Sequence, residues 1–288
     1  ECGLIGIAFD PNYLINGYIY FFVTVSNSEQ QIIRYTDNNN TGVDPLPIVT
    51  NLPTIGANHD GGGIGFGPDG KLYVAIGAPC NICEVTGFEG TIIRMNPDGH
   101  NLEIFARGVR NSVGFDWHPV TGEMFFTDNG GDNLGDLVPP DELNRAKEPG
   151  LHFGYPFVYG DGVPYPQLAD RLPPTETTAP AVAFEAHVAA LGIHFYRGAM
   201  LPDDFRNDAL VAQHGSWNRT DPIGYRIMRV RFDDQGLPVG KEVFVDGWLG
   251  DDGDAWGRVV DIAELPDGSL LVSDDLAGLV YRITYPGG

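Results

Sequence analysis

Hydrophobic and polar positions recur along this chain in one unit. A Gly or an acidic residue opens a short alternation of apolar residues, a turn follows, and a second apolar run comes after it. The unit reads GIAFDPNYLINGYIYFFVT from Gly6, GIGFGPDGKLYVAIG from Gly63 and GFDWHPVTGEMFFTDNG from Gly114. It returns as GIHFYRGAMLPDDFRNDALVAQHG from Gly192 and as DIAELPDGSLLVSDD from Asp261. Pro68-Asp69-Gly70 and Pro266-Asp267-Gly268 are hairpin turns, since Pro presets φ and Gly accepts positive φ. The runs Lys71-Leu72-Tyr73-Val74-Ala75-Ile76 and Leu270-Leu271-Val272 are short and apolar, as buried strands are. A third strand-like run follows several units: Gln31 to Tyr35, Thr91 to Met95, Tyr225 to Val230 and Gly278 to Ile283.

Three or four antiparallel strands repeated about an axis make the blades of a β-propeller. The repeat starts are unevenly spaced, so insertions sit in particular blades. The main one is Pro-rich, from about Leu151 to Pro180, and reads as a long functional loop. Helix signals are few, and Asp141-Glu142-Leu143-Asn144-Arg145 predicts at most one turn. Five units are visible, and the last, ending at Arg282-Ile283-Thr284, lacks an outermost strand. Propellers close by pairing an N-terminal strand with the last blade, and that partner is expected upstream of Glu1. The expectation is therefore all-β: a six-bladed propeller of four-stranded antiparallel blades, five visible and the first missing. Residues 1–288 then form a single propeller domain, incomplete at its N-terminus.

Composition narrows the function. Thirty-nine acidic residues stand against 17 Lys and Arg, a formal charge of −22, which excludes a nucleic-acid binder. The chain is 42% hydrophobic and 11% aromatic, enough for a core, which excludes disorder. It contains no apolar run of about 18 residues, so no membrane span is expected. Cys80-Asn81-Ile82-Cys83 lacks the following His of a haem attachment and the further ligands of a zinc site. It reads as a small loop disulfide in an oxidising, periplasmic or extracellular compartment, and Cys2 stands apart.

Polar residues gather at the repeat junctions. Glu1 precedes the first unit, Asn58-His59-Asp60-Gly61-Gly62 the second and Gly108-Val109-Arg110-Asn111 the third. Gln213-His214-Gly215-Ser216-Trp217-Asn218-Arg219 follows a strand, and Trp256-Gly257-Arg258 opens the last unit. Two arginines converging on an acidic protein would make a local positive pocket for an anionic small molecule. Plainer readings stand beside this one. His59 can be a satisfied loop residue, Arg110 and Arg258 structural ion-pair partners, and Trp217 packing between blades. Asp128-Asn129-Gly130-Gly131-Asp132-Asn133 has the composition of a calcium loop without EF-hand spacing, so it points only to oxygen ligation.

In this order the motifs resemble the soluble quinoprotein sugar dehydrogenases, the glucose, aldose-sugar and sorbosone dehydrogenases. The resemblance rests on Glu1-Cys2-Gly3-Leu4-Ile5-Gly6, on His59 with GIGFGPDGKLYVAIG, and on Arg110-Asn111-Ser112-Val113-Gly114-Phe115. Thr127-Asp128-Asn129-Gly130, Pro140-Asp141-Glu142-Leu143-Asn144, Phe153-Gly154-Tyr155-Pro156, His214 to Arg219 and Asp274-Asp275 extend it over nearly the whole chain. It implies a six-bladed propeller that uses pyrroloquinoline quinone (PQQ) and Ca2+. It implies His59 as catalytic base, and Arg110 and Asn111 at the quinone. Arg258 and Asp275 would line the cofactor site from the last blade, Glu1 would be a polar position at the end of the first, and His187 a further cofactor contact. Gly130 and Gly131 would hold the calcium through backbone carbonyls. The family's cofactor-binding lysine has no clear equivalent here; Asn218 or Arg219 takes its place, and Val113 stands where a polar residue is usual.

The resemblance thus implies oxidation of a sugar, polyol or related aldehyde, with electrons passed to an external acceptor such as a cytochrome or quinone. Two alternatives remain at this level. One is a calcium-dependent propeller lactonase or esterase with His59 or His214 as base. The other is a degenerate, non-enzymatic propeller.

Overall fold

The protein is described by a computed structural model covering residues 2–55 and 58–286. Strands β1 (Gly3–Phe9), β2 (Tyr18–Ser26), β3 (Glu29–Asp37) and β4 (Gly42–Leu52) form one antiparallel sheet in sequence order. Strands β5 (Ile64–Phe66), β6 (Leu72–Ile76), β7 (Thr91–Met95) and β8 (Glu103–Arg107) form the second, and β9 (Phe115–Trp117), β10 (Met124–Asp128) and β11 (Pro140–Ala146) open the third. The chain then makes β12 (Leu151–His152), which adds in parallel to β8, and a hairpin of β13 (Val158–Tyr159) and β14 (Val163–Pro164). Strand β15 (Val182–Ala186) returns to β11 and completes the third sheet. The fourth sheet is β16 (Ala190–Phe195), β17 (Ala209–Gln213), β18 (Arg226–Phe232) and β19 (Pro238–Val245). The fifth has three strands, β20 (Val259–Glu264), β21 (Leu270–Asp274) and β22 (Leu279–Ile283).

The fold is all-β, a five-blade β-propeller arrangement, as the repeated pattern predicted. The third-strand runs read from sequence lie in β3, β7, β18 and β22. Two expectations need correction. Asp141 to Arg145 is not a helical turn but lies in β11, where Leu143 and Ala146 pair across to Thr127 and Met124 of β10. The Leu151–Pro180 stretch is more than a loop, because it supplies β12 and its own hairpin.

The chain divides into two compact units: Glu1–Val113 with Glu148–Ala179, and Gly114–Lys147 with Pro180–Gly288. In the first unit every residue of β6 is buried, as a continuous apolar run requires when both faces of a strand are covered. Its core joins Tyr20, Phe22 and Ile32 to Leu72, Val74, Ile76 and Ile93. In the second unit, Phe125, Phe195, Val211 and Val230 form one cluster, and Tyr196, Leu210, Ile227, Leu270 and Val272 another. His118 packs edge-on to Phe195 at 5.1 Å between ring centroids, and burial first of all holds its imidazole pKa below the ordinary value.

Candidate functional site

In the first unit the candidate residues lie where the ends of β6 and β8 are drawn together. The chain reaches His59 with φ of 56°, a left-handed conformation uncommon for a residue bearing a side chain. Directly behind it Gly77 follows β6. A Cβ on Gly77 would fall 1.7 Å from the His59 carbonyl oxygen, so only glycine allows this approach. His59 is half-buried, and its Nδ1 lies 3.0 Å from the Ala78 carbonyl oxygen. A carbonyl can only accept, so Nδ1 carries the ring proton and Nε2 the lone pair. Ala78 in turn donates its N–H to the Arg110 carbonyl at 2.8 Å. Asn111, buried beside it, accepts the Gly61 N–H on Oδ1 at 3.2 Å and so pins the far end of the His59 turn.

Arg110 is 3% exposed. Its Nε donates to the Asn81 carbonyl and its Nη2 to Asn81 Oδ1, both at 2.9 Å, a two-pronged grip on one residue. Asn81 lies inside the ring closed by the Cys80–Cys83 disulfide, which the sequence predicted. The same ring is held from the insertion: the Tyr155 hydroxyl donates to the Cys80 carbonyl at 3.1 Å and accepts the Cys83 N–H at 3.2 Å. Glu1, the remaining candidate of this unit, lies outside the described residues.

In the second unit the candidates hang on turns beyond β10, β15, β17 and β21. Gly130 donates its N–H to Asp141 Oδ1 at 2.7 Å, and the other oxygen of that buried carboxylate accepts the Ala189 N–H at 2.6 Å. One aspartate therefore ties the Gly130-Gly131 turn to the His187 turn. A Cβ on Gly130 would fall 2.5 Å from the Pro140 carbonyl. His187 has φ of 66° and is 5% exposed; its Nε2 donates to the Gly135 carbonyl at 2.8 Å, and its buried Nδ1 has no partner. Asn218 donates to Asp132 Oδ1 at 2.8 Å, while its own buried Oδ1 is unsatisfied. Arg219 reaches the Ala186 and Asp221 carbonyls, both at 3.2 Å.

Arg258 rests on backbone. Its Nε donates to the His214 carbonyl at 3.1 Å and its Nη2 to the Gly215 carbonyl at 2.5 Å, with the Tyr225 ring 5.7 Å away. Among the described residues no carboxylate pairs with its guanidinium, so the ion-pair reading fails for Arg258. His214 Nε2 meets Asp275 Oδ1 at 2.9 Å. Burial is the largest influence on His214 and holds its pKa below the ordinary value, against the raising hydrogen bond from the exposed Asp275. Trp217 is 69% exposed, so it is not packing between blades.

The structure thus gathers His59, Arg110 and Asn111 in one unit, and Gly130, His187, Asn218, Arg219, Arg258 and Asp275 in the other. Sequence reasoning passed over Asn81, Tyr155 and Asp141, which hold these residues in place. Only Asp141 left a usable signal, a carboxylate beside the buried positions of a strand. Among the described residues no group of three or more His, Cys, Asp or Glu could hold a metal ion. No helix among them is long and apolar enough to cross a membrane.

The family profile described as Glucose / Sorbosone dehydrogenase matches residues 1–282. An uncharacterized protein of Borreliella burgdorferi is 36% identical over 285 residues, 98% of this chain and 75% of that protein. Quinoprotein glucose dehydrogenase B of Acinetobacter calcoaceticus is 27% identical over 202 residues, 55% of this chain and 40% of that enzyme. A crystal structure from Thermus thermophilus, described as an oxidoreductase (glucose dehydrogenase), superposes with a TM-score of 0.70 at 25% identity. That match covers 94% of this chain and 77% of the other.

Proposed function

This chain belongs to the Glucose / Sorbosone dehydrogenase family, and on that premise we propose that it is a quinoprotein dehydrogenase, using PQQ and Ca2+ to oxidise a sugar, polyol or related aldehyde. The observation that carries the reading is the tautomer of His59. With Nδ1–H donated to Ala78, the Nε2 lone pair is the proton acceptor that alcohol oxidation needs.

PQQ is a tricarboxylate, and the second unit has groups suited to one. Arg258 holds its positive charge on carbonyls, with no carboxylate among the described residues pairing its guanidinium. The buried and unpartnered His187 Nδ1 and Asn218 Oδ1 are acceptors, so they would face donors of a ligand and not its carboxylates. Arg219 adds a second cation, and Asp275 bonds His214 beside Arg258. The resemblance assigns calcium to the Gly130 and Gly131 backbone carbonyls, oxygen ligands of the kind calcium takes. Bound there, the quinone and its calcium supply the acceptor for the hydride. The chain's own residues do the rest. His59 would take the substrate hydroxyl proton at Nε2, Arg110 would offer positive charge to the developing oxyanion, and Asn111 keeps the His59 turn in place.

The substrate is a small sugar-like molecule and the electron acceptor an external cytochrome or quinone. The disulfide suits export to the periplasm or beyond. Reconstitution with PQQ, Ca2+, an artificial electron acceptor and a panel of aldoses tests the proposal. Turnover is expected. In His59→Ala it should fall by about 10²–10⁴-fold while PQQ still binds. Folded protein that neither binds PQQ nor turns over would overturn the reading.

A further inference from the structure

A cavity of about 370 Å3 opens in the first unit beside the Cys80–Cys83 ring, a volume within the range of small-molecule sites. Its floor is a row across three strands. Thr91 of β7 pairs with Arg107 of β8, and Arg107 pairs with His152 of β12, and all three residues line the cavity. The row exists only because the insertion adds β12 to the edge of the sheet.

The row presents donors. Among the described residues, the Arg107 guanidinium has neither a carboxylate nor a hydrogen-bond partner. His152 is 7% exposed, and its Nδ1 accepts the Gly154 N–H at 3.1 Å, so the proton of the neutral ring is on Nε2. No protein acceptor among the described residues takes that proton. Tyr155 and Phe157 add aromatic surface to the wall. At the rim Arg171 pairs with Glu84 at 2.8 Å, and Glu89 accepts the Thr86 N–H at 2.9 Å. Two guanidiniums and two carboxylates leave the lining close to neutral. Such a lining disfavours a polyanion. It suits one carboxylate set on Arg107 and His152, with hydroxyl groups to meet the rim carboxylates.

We propose that this cavity is a binding site for a hydroxylated monocarboxylate of sugar-acid size. The site is joined to the candidate catalytic residues through Tyr155. The hydroxyl of this cavity-wall residue bonds the Cys80 carbonyl and the Cys83 N–H, and Asn81 of that ring grips Arg110. An occupant lying against Tyr155 therefore bears on the loop that positions Arg110.

Isothermal titration of the protein without PQQ reads the site independently of any dehydrogenase activity. Gluconate, glucose and inorganic phosphate are the probes. Gluconate should bind with 1:1 stoichiometry and at least about tenfold more tightly than the other two. Arg107→Ala, at an exposed position, should weaken gluconate by about tenfold or more without lowering the melting temperature. His59→Ala should bind gluconate as the parent protein does. The proposal falls if gluconate does not bind, if phosphate or glucose binds as tightly, if Arg107→Ala leaves affinity unchanged, or if His59→Ala abolishes binding.

Discussion

The two units each place an arginine among candidate site residues, and they do it by different means. In the first unit Arg110 is buried and gripped by both the backbone and the side chain of Asn81, inside a ring closed by a disulfide and anchored by Tyr155. In the second unit Arg258 is half-buried and rests on the carbonyls of a turn, His214 and Gly215, whose N–H groups bond the Ala189 and Val188 carbonyls. Arg110 bonds the backbone and side-chain oxygens of Asn81, and Arg258 bonds two carbonyls, neutral acceptors that orient a guanidinium. The difference lies in how rigid the seat is. A covalent ring and a buried tyrosine hold the first, whereas hydrogen bonds without a covalent closure hold the second. The histidines differ likewise. His59 leans on a carbonyl that fixes its tautomer, and His214 leans on an exposed carboxylate that works against the effect of burial.

The largest test of this contrast uses glycine. A Cβ at Gly77 would collide with backbone, the His59 carbonyl oxygen at 1.7 Å. At Gly257 of the second unit it would meet first a side-chain oxygen, Asp274 Oδ2 at 2.2 Å. Gly77→Ala is expected to cost about 3 kcal/mol, and Gly257→Ala less, because the obstacles at Gly257 are side-chain atoms, Asp274 Oδ2 and Trp248 Cδ1, and the nearest one at Gly77 is backbone. Urea unfolding of both variants measures this, and equal losses would erase the distinction.

A smaller effect follows from opening the ring. Cys80→Ser combined with Cys83→Ser should cost about 2 kcal/mol, the expectation for so short a loop. Amide exchange should quicken at Ala78, whose N–H bonds the Arg110 carbonyl, and stay unchanged at Gly215, whose N–H bonds Val188 in the other unit. Uniform acceleration across both units would show that the ring is not a local brace.

The smallest effect concerns His214. Its folded pKa lies below the ordinary value of about 6.5, so the stability linked to it is complete above that pH. That stability is lost as pH falls through the lowered folded value. Asp275→Asn removes the charged partner that pulls the pKa back up, so NMR titration should show His214 titrating at still lower pH. The accompanying change in stability should not exceed about 0.5 kcal/mol, since Asp275 is 61% exposed. An upward shift would mean that the carboxylate is not its effective partner.

The strands were legible because their signals are local. Alternation in β2, the continuous apolar run of β6 and the Pro-Asp-Gly turns each follow from a few neighbouring residues. The stretch Asp141 to Arg145 was misread because its polar residues imitate a helix start. The decisive partners of Asp141 are the amides of Gly130 and Ala189, far away in sequence, and they turn a charged residue into a strand residue with buried bonds. His59, Arg110 and Arg258 were recognisable as candidates by type and position. Their seats were not, for Asn81 is 29 residues from Arg110 and Tyr155 is 75 from Cys80.

By itself the sequence determined an all-β repeat with turns at set places, an acidic surface, a disulfide ring and the order of a family's motifs. These follow from propensity, spacing and charge, which act over a few residues or over composition as a whole. Only the tertiary structure decided which nitrogen of His59 carries the proton, which carbonyls seat Arg258, and that β12 sets His152 beside Arg107 over a cavity. Those outcomes depend on hydrogen bonds and packing between segments distant in the chain, where alternation and composition carry no information.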